Sequence, residues 1–325
     1  MNEPTRSATV RDWLTRRTYH HGRWLPRELS ARKDGRQVSV VIPARDEQAT
    51  IGSIVTTVRR RLVHDVPLVD EIIVVDSRSR DRTAEVAAAA GATVVGQDDV
   101  LPALEPLSGK GDALWKGLAA SSGDVVAFVD GDLRDFSAHF VTGLLGPLLT
   151  DPEVCYVKGF YRRALEYGDK VEADGGGRVT ELVARPLLNL FWPELAGFVQ
   201  PLAGEYAGRR SVLTRLPFVA DYGVEVGHLI DLLSLYGLDG LAQVDLDVRR
   251  HSHQTTHRLG VMAAQIMQTV FDRLGRAGRL PGGTRGAMTL TQFHHSTGPD
   301  LDPVDIGVSF RERPPLAFTE VARWA

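Results

Sequence analysis

Short apolar runs alternate with amphipathic segments through the first half of the chain. Four runs are bounded by polar residues, which is typical of strands buried on both faces of a sheet: 38–42, 71–75, 92–95 and 125–129. Helices are predicted between them, over 50–62, 83–90 and 110–120. Because strands and helices alternate, the pattern predicts right-handed βαβ units in a mostly parallel sheet, with ligand-binding loops at the carboxyl ends of its strands.

The pattern changes after about residue 150. Strands are predicted at 154–161, 202–209 and 241–248, and helices at 179–190, 222–236 and 257–274. The residues from 276 onwards are rich in glycine, proline and threonine, which predicts an irregular tail. We therefore divide the chain into an N-terminal extension, two halves and a tail, with the bounds 1–36, 37–150, 151–275 and 276–325.

Composition narrows the classes of function. The 325 residues are 43% hydrophobic and 24% charged, and the net charge of -3 gives no reason to expect binding to nucleic acid. No apolar run reaches the ~18 residues of a membrane span and the N-terminus lacks the apolar segment of a secretory signal, so we expect a cytoplasmic protein. The single cysteine, Cys155, lies in a predicted buried strand, where an inert packed thiol is expected.

The first 36 residues differ from the rest because they carry nine arginines and lysines. This segment could be a basic arm that binds an anion. We favour the alternative, a solvated extension that packs against the protein through Trp13 and Trp24.

The triplet Asp130-Gly131-Asp132 directly follows the fourth predicted strand. A turn at Gly131 lets both carboxylates face one site. Their hard oxygen ligands suit Mg²⁺ or Mn²⁺, either of which can bridge a diphosphate and neutralise a leaving group. Alone, the triplet could equally be two surface aspartates in a turn, but its place at the end of a buried strand favours function.

Two further segments can bind anions. Lys110 opens a predicted helix after Gly109, where it can reach a phosphate beside the helix N-terminus, although alone it is typical of an exposed lysine. The three glycines 175–177 let the backbone approach a ligand closely, and Arg178 and Thr180 follow in the first helical turn. A guanidinium fork, a hydroxyl and free amide groups favour a phosphate or carboxylate site over a flexible hairpin loop.

Three more side chains are candidates. Tyr222 and Glu225 lie one helical turn apart and share a face, which could hold sugar hydroxyls or could be the polar side of a packed helix. His251 follows a predicted strand and could bind a metal as a neutral imidazole, although a lone histidine is more often a surface residue. The histidine doublets at 20–21 and 294–295 suggest no role.

These motifs occur in a familiar order. The segments 40–47, 76–83, 109–111 and 130–132 resemble the nucleotide-binding half of GT-A fold glycosyltransferases of the family-2 type. The segments 175–182, 203–206, 222–225 and 249–251 resemble the family of actinobacterial glucosyl-3-phosphoglycerate synthases, and the resemblance covers about 37–275. It implies an α/β protein of GT-A type, with a Rossmann-like, mostly parallel sheet and a C-terminal acceptor-binding subdomain. The half 37–150 then binds the nucleotide-sugar and the half 151–275 the acceptor.

The resemblance also implies an activity. The enzyme would be a homodimeric, retaining transferase that moves glucose from UDP-glucose to 3-phosphoglycerate with the help of Mg²⁺ or Mn²⁺. The implied donor-binding residues are Pro43, Ala44, Glu47, Asp76, Ser77, Lys110 and Asp130. The implied metal ligands are Asp132 and His251. The implied acceptor-binding residues are Gly177, Arg178, Val179, Thr180, Tyr222 and Arg249. The catalytic set would be Lys110, Asp130, Asp132 and Glu225.

The chain departs from the family pattern near the donor and the metal. Arg45-Asp46 stands where Leu-Asn is usual, Arg78 stands where glycine is frequent, and His253 stands where asparagine is expected.

Two other functions stay open. A polyprenyl-phosphate glycosyltransferase at the membrane surface shares the first half, but it should carry a membrane-binding element, and none stands out. A non-catalytic nucleotide-sugar-binding protein would have no need of the intact catalytic set.

Overall fold

The computed structural model describes residues 3–162, 165–167, 170–172, 177–249, 255–281, 286–295, 301–308 and 310–319. The helices are α1 Glu3–Arg17, α2 Pro26–Ala31, α3 Ile51–Val58, α4 Thr83–Ala90, α5 Lys110–Ala120, α6 His139–Thr150, α7 Arg185–Phe191, α8 Arg210–Leu213, α9 Val224–Tyr236 and α10 Thr256–Arg276. The strands of the first half are β1 Thr18–His20, β2 Val38–Ala44, β3 Glu71–Asp76, β4 Thr93–Gly96 and β5 Val125–Phe128. The later strands are β6 Tyr156–Arg162, β7 Leu165–Tyr167, β8 Lys170–Glu172, β9 Tyr206–Arg209, β10 Phe218–Val219, β11 Leu241–Val248, β12 Thr289–His295, β13 Leu301–Gly307 and β14 Glu312–Arg313.

One mixed, mostly parallel sheet organises the molecule, which confirms the predicted α/β class. Its eight strands follow the order β1-β11-β6-β9-β5-β2-β3-β4, and only β9 runs antiparallel to its neighbours. Alternate residues of β2 enter different cores, since Val40 and Ile42 pack in one cluster and Val41 in the other. The continuous apolar runs predicted as buried strands are therefore covered by helices on both faces. Among the described helices, none is long and apolar enough to cross a bilayer.

The basic N-terminal segment is built into the sheet. Trp13 is completely buried and Trp24 is 8% exposed, so both tryptophans pack as predicted. The sequence did not predict that β1 would pair in parallel with β11 and extend the sheet. Arg17 is also buried, in ion pairs with Asp151 and Glu153 at 2.5 and 2.6 Å, so it is a structural residue.

The second half of the chain shares this sheet with the first. Strand β9 inserts between β5 and β6, so no gap separates the two predicted halves within the sheet. The predicted helix 179–190 consists of a π-helical turn, Thr180–Ala184, followed by α7.

The prediction of an irregular tail is wrong. Strands β12 and β13 form an antiparallel hairpin, and β14 pairs with β10. Side chains secure this last pairing, since Arg313 Nε donates to Asp112 Oδ1 at 2.6 Å and Trp115 Nε1 donates to the Pro314 carbonyl at 2.9 Å. The partners of β14 lie far away in the chain, and those of its two side-chain contacts more than 190 positions away, so local composition cannot reveal this pairing.

Candidate active site

A cavity of about 910 Å³ opens at the carboxyl ends of β2, β3 and β5. It contains most of the residues to which the sequence assigned a role: Pro43, Ala44, Glu47, Ser77, Lys110, Asp130, Asp132, Gly177, Arg178, Val179, Thr180, Tyr222, Glu225 and Arg249. The geometry brings these side chains together, and their individual roles stay predictions. His251 lies outside the described residues, as do Gly175 and Gly176.

The turn at 130–132 is fixed by neighbouring elements. Strand β5 ends at Phe128, and the Val129 amide still donates to the Val41 carbonyl at 3.1 Å. The Thr50 hydroxyl then donates to the Gly131 carbonyl at 2.6 Å, which holds the turn against the start of α3. Both carboxylates of the triplet consequently reach the cavity, as the sequence predicted.

Lys110 joins two of the predicted catalytic carboxylates. Its Nζ lies 2.6 Å from Asp130 Oδ1 and 3.1 Å from Glu225 Oε1. Burial lowers the pKa of Lys110, but the two carboxylates outweigh it and raise this pKa above its ordinary value. The lysine is positioned by Gly109, which caps α5 at φ 113, and by the Asp112 amide, which donates to the Ala220 carbonyl at 3.0 Å.

Arg249 ties the triplet to a buried acid. Its Nη2 lies 3.1 Å from Asp130 Oδ2 and 2.8 Å from Asp132 Oδ1, and its Nη1 lies 3.2 Å from the carboxylate of Glu205. Nη1 also donates to the Tyr161 hydroxyl at 2.6 Å. Burial raises the pKa of Asp130, but Lys110 and Arg249 lower it well below its usual range. Asp130 is therefore ionised and bound between two cations.

The residues at Asp132 fit a divalent cation. Burial, followed by the nearby charge of Asp132, raises the pKa of Glu47 to about 7. Burial is the larger cause, and the neighbouring charges of Asp132 and Asp130 add to it, so a cation bound beside these carboxylates would lower this pKa again. Asp132 is 33% exposed, so its carboxylate is accessible from the cavity. Carboxylate oxygens are the ligands that Mg²⁺ and Mn²⁺ prefer.

Asp76 sits at the edge of the donor side. It ends β3, and its buried Oδ1 has no hydrogen-bond partner among the residues that the structure describes. It does not line the cavity itself, although the adjacent Ser77 does. A buried carboxylate oxygen without a donor costs free energy, so this atom suits an N–H group of a ligand, such as that of a nucleotide base.

The predicted acceptor site is a short loop followed by a helical turn. Gly177 has φ 84, which favours glycine, and its carbonyl accepts from the Glu181 amide at 3.0 Å. Thr180 is 4% exposed, whereas Arg178 lines the cavity and reaches Thr256, at the start of α10, with an Nη1 to Oγ1 distance of 3.5 Å. A guanidinium and a helical N-terminus thus share one wall of the cavity.

Sequence reasoning missed two buried charged residues beside this site. Glu205 is fully buried beneath Arg249, and burial raises its pKa. Lys158 is also fully buried, 4.9 Å from the centre of the Tyr206 ring, and burial lowers its pKa to about 7. For Glu205 the sequence did offer a signal, since an acidic residue stands at this position within the family-like segment 203–206. Nothing in a strand pattern distinguishes Lys158 from a solvated lysine.

The histidine doublet at 20–21 forms hydrogen bonds at the carboxyl end of β11. His21 Nε2 and His20 Nε2 lie 2.6 and 3.4 Å from the Asp247 carboxylate. The Gly22 amide donates to His20 Nδ1 at 3.1 Å, so a neutral His20 carries its proton on Nε2 and directs it towards the aspartate. These contacts tie β1 to the end of β11 and need no metal ion.

Comparison with known proteins agrees with this geometry. Residues 39–203 match the profile of Glycosyl transferase family 2. Glucosyl-3-phosphoglycerate synthase of Mycolicibacterium smegmatis is 48% identical over 304 residues, which cover 94% of this chain and 97% of that protein.

Two solved structures extend the comparison. Mannosyl-3-phosphoglycerate synthase from Rubrobacter xylanophilus has a TM-score of 0.87 and 39% identity, over 94% of this chain and 97% of that one. Glucosyl-3-phosphoglycerate synthase from Mycobacterium tuberculosis, in complex with Mn²⁺, UDP-glucose and phosphoglyceric acid, has a TM-score of 0.80 and 45% identity, over 92% of this chain and 97% of that one. With its GT-A fold and this similarity over nearly its whole length, the chain belongs to the glucosyl-3-phosphoglycerate synthase family of glycosyltransferases.

Proposed function

We propose that this protein transfers glucose from UDP-glucose to 3-phosphoglycerate and releases UDP and glucosyl-3-phosphoglycerate. One observation carries the proposal. A single cavity holds a carboxylate pair at a strand end, a lysine at a helix start and an arginine beside a glycine loop. A diphosphate-sugar and a small phosphorylated acid need these groups side by side. The full-length similarity to glucosyl-3-phosphoglycerate synthases supports it.

The donor half supplies the binding groups for the nucleotide-sugar. We infer that Pro43, Ala44 and Ser77 line the base pocket, where the unpartnered Asp76 Oδ1 accepts an N–H of the base. Asp132 and His251 would hold Mg²⁺ or Mn²⁺, which neutralises the charge that develops on the departing diphosphate. Relatives in this family have been solved with Mn²⁺ or Mg²⁺ bound.

The transfer itself follows from the chemistry of the two substrates. The only hydroxyl of 3-phosphoglycerate attacks the anomeric carbon on the face from which UDP departs, so the configuration is retained. The bond from the anomeric carbon to the phosphate oxygen breaks, the new glycosidic bond forms, and the proton of the hydroxyl moves to the departing phosphate. In this proposal Glu225 and Tyr222 lie near the transferred sugar, and Lys110, which pairs with Asp130, holds Glu225 through its second contact at 3.1 Å.

We expect Arg178→Ala to raise the Michaelis constant for 3-phosphoglycerate roughly tenfold to a hundredfold. The variant loses a charge-assisted hydrogen bond, worth on the order of 1.5–3 kcal/mol. The constant for UDP-glucose should change little, because its contacts lie in the other half of the cavity. Arg178→Lys should recover only part of the loss, since lysine keeps the charge but lacks the planar fork. Steady-state kinetics of UDP release with either substrate varied measures both constants.

A matched control is Arg215→Ala, which removes an exposed arginine that does not line the cavity. It should leave both constants unchanged. Equal weakening of donor and acceptor by Arg178→Ala contradicts the assignment of this loop to the acceptor. Transfer to a polyprenyl phosphate, with no transfer to 3-phosphoglycerate, would instead establish the membrane-surface alternative.

We also propose a cytoplasmic homodimer. Both proposed substrates are highly charged metabolites, which a cytoplasmic enzyme meets without transport across a membrane.

An apolar surface supports the dimer. Exposed apolar side chains lie on α10 and on the nearby β12–β13 hairpin, among them Phe271 and Phe293 at 36% and 57% exposure. Exposed apolar side chains on neighbouring elements are the kind of surface that subunits bury against each other. Sedimentation equilibrium should give twice the monomer mass of 35.6 kDa, and a monomer contradicts this part of the proposal.

A further inference from the structure

We propose that Arg78 is a positioning residue that latches the loop 97–109 in place and thereby sets the affinity for the donor nucleotide. The loop connects β4 to α5 and precedes Lys110. Arg78 lies two residues after the end of β3. The inference rests on the proposed function only in taking a nucleotide-sugar as the donor.

One guanidinium holds both ends of the loop. Arg78 Nε and Nη2 donate to the two carboxylate oxygens of Asp98, each at 2.7 Å, near the start of the loop. Nη1 donates to the Ser108 hydroxyl and Nη2 to the Leu107 carbonyl, both at 3.1 Å, near its end. The planar fork of arginine makes this two-ended arrangement possible, and no other side chain offers the same geometry.

These hydrogen bonds of Arg78 with Asp98, Leu107 and Ser108, called the latch below, lie beside the cavity. Arg78, Gln97, Ser108 and Gly109 all line it, together with the proposed base-pocket residues at the ends of β2 and β3. The two ends of the segment 97–109 are therefore part of the wall that a nucleotide would contact. Arg78 and Asp98 are 40% and 46% exposed, so their pairing is accessible from the solvent side and contributes little to the buried core.

A second, inner anchor holds the same loop. Gln97 is 2% exposed, and its Nε2 donates to the Leu107 carbonyl at 3.1 Å and to Asp112 Oδ2 at 2.5 Å. Loss of Arg78 should therefore free the cavity-facing side of the loop without unfolding it. The melting temperature should stay the same, while the fraction of molecules whose loop is in place to bind the nucleotide falls.

The backbone at Arg78 makes a clean test possible. Arg78 has φ 60, in the left-handed region that favours glycine and strains residues that carry a side chain. Arg78→Gly therefore removes the latch without straining the turn. The apparent dissociation constant rises in inverse proportion to the fraction of molecules whose loop is in place.

We expect Arg78→Gly to raise the Michaelis constant for UDP-glucose about threefold to tenfold, because an exposed bidentate pair and two hydrogen bonds to uncharged oxygen atoms are lost. The constant for 3-phosphoglycerate, kcat and the melting temperature should change little. Asp98→Ala should raise the donor constant in the same direction. The double variant should be no worse than the poorer single variant, since both changes remove one latch. Titration calorimetry with UDP and Mg²⁺ measures the same effect without turnover.

The control is Arg82→Ala, which breaks another bidentate pair of the same segment, with Glu85 at 2.8 and 2.6 Å, away from the cavity. It should leave the donor constant unchanged. If Arg78→Gly weakens the donor but Asp98→Ala does not, Arg78 contacts the nucleotide directly and the latch is wrong. Unchanged donor affinity in both variants also overturns it. Failure of the wild-type enzyme to use UDP-glucose and 3-phosphoglycerate overturns the proposed function instead, and the UDP titration then still tests the latch.

Discussion

Replacing Gly204 by alanine should lower kcat/KM by at least about a hundredfold, as a displacement of roughly 1 Å at reacting groups does. A methyl group at this position would lie closer than 3.0 Å to both carboxylate oxygens of Asp130 and to Lys110 Nζ. Side chains essentially never make such contacts, so the pair must move apart. The pair also cannot move freely, because Arg249 holds Asp130 from its other oxygen.

The measurement is UDP release under subsaturating substrates, with the melting temperature as a check of folding. Gly275→Ala is the matched control, since Gly275 lies in α10 and its methyl group would meet no atom within 4 Å. That variant should keep wild-type activity, and alanine favours the helix. Wild-type activity of Gly204→Ala would mean that the 2.6 Å contact between Lys110 and Asp130 is dispensable.

Asp132→Ala should lose activity by roughly a hundredfold to a thousandfold, because a metal that stabilises the leaving group contributes several kcal/mol. Wild-type activity should vanish in excess EDTA and return with Mg²⁺ or Mn²⁺. The variant should need a higher metal concentration for half of its remaining activity. The fold should survive, since Arg249 keeps its contacts with Asp130, Glu205 and Tyr161.

Asp135→Ala controls for the loss of charge, since it removes an exposed carboxylate three positions along the same loop and outside the cavity. It should change neither the activity nor the metal requirement. Full wild-type activity in excess EDTA rules out the metal-dependent mechanism. An Asp132→Ala variant with an unchanged metal requirement would show that the ion is held elsewhere.

The local sequence determined the elements whose apolar pattern and end signals agree. The helix Thr83–Ala90 and the strand Leu241–Val248 occupy their predicted positions, and Gly91 ends α4 at φ 99 as a left-handed cap. These elements follow from short-range effects: apolar periodicity, capping and the conformational freedom of glycine. The motif spacing likewise determined which side chains meet in the cavity, because parallel strands present their carboxyl ends on one edge.

Long-range contacts decided the elements whose local signal is weak or contrary. Helix α6 was not predicted, since it contains Gly143, Gly146 and Pro147, which disfavour a helix. The fold uses those glycines for close approach: a methyl group on Gly146 would overlap the ring of Trp24, and one on Gly143 would meet Leu246.

The site shows the same division. The sequence predicted Asp130, Asp132 and Arg178 from residue type and position, and it predicted Lys110 through its order among the other motifs. Only the tertiary structure revealed that Glu205 and Arg249 form a buried pair and that Arg78 spans a loop. A charged side chain acquires its role from the partners that burial forces on it, and those partners are distant in the chain.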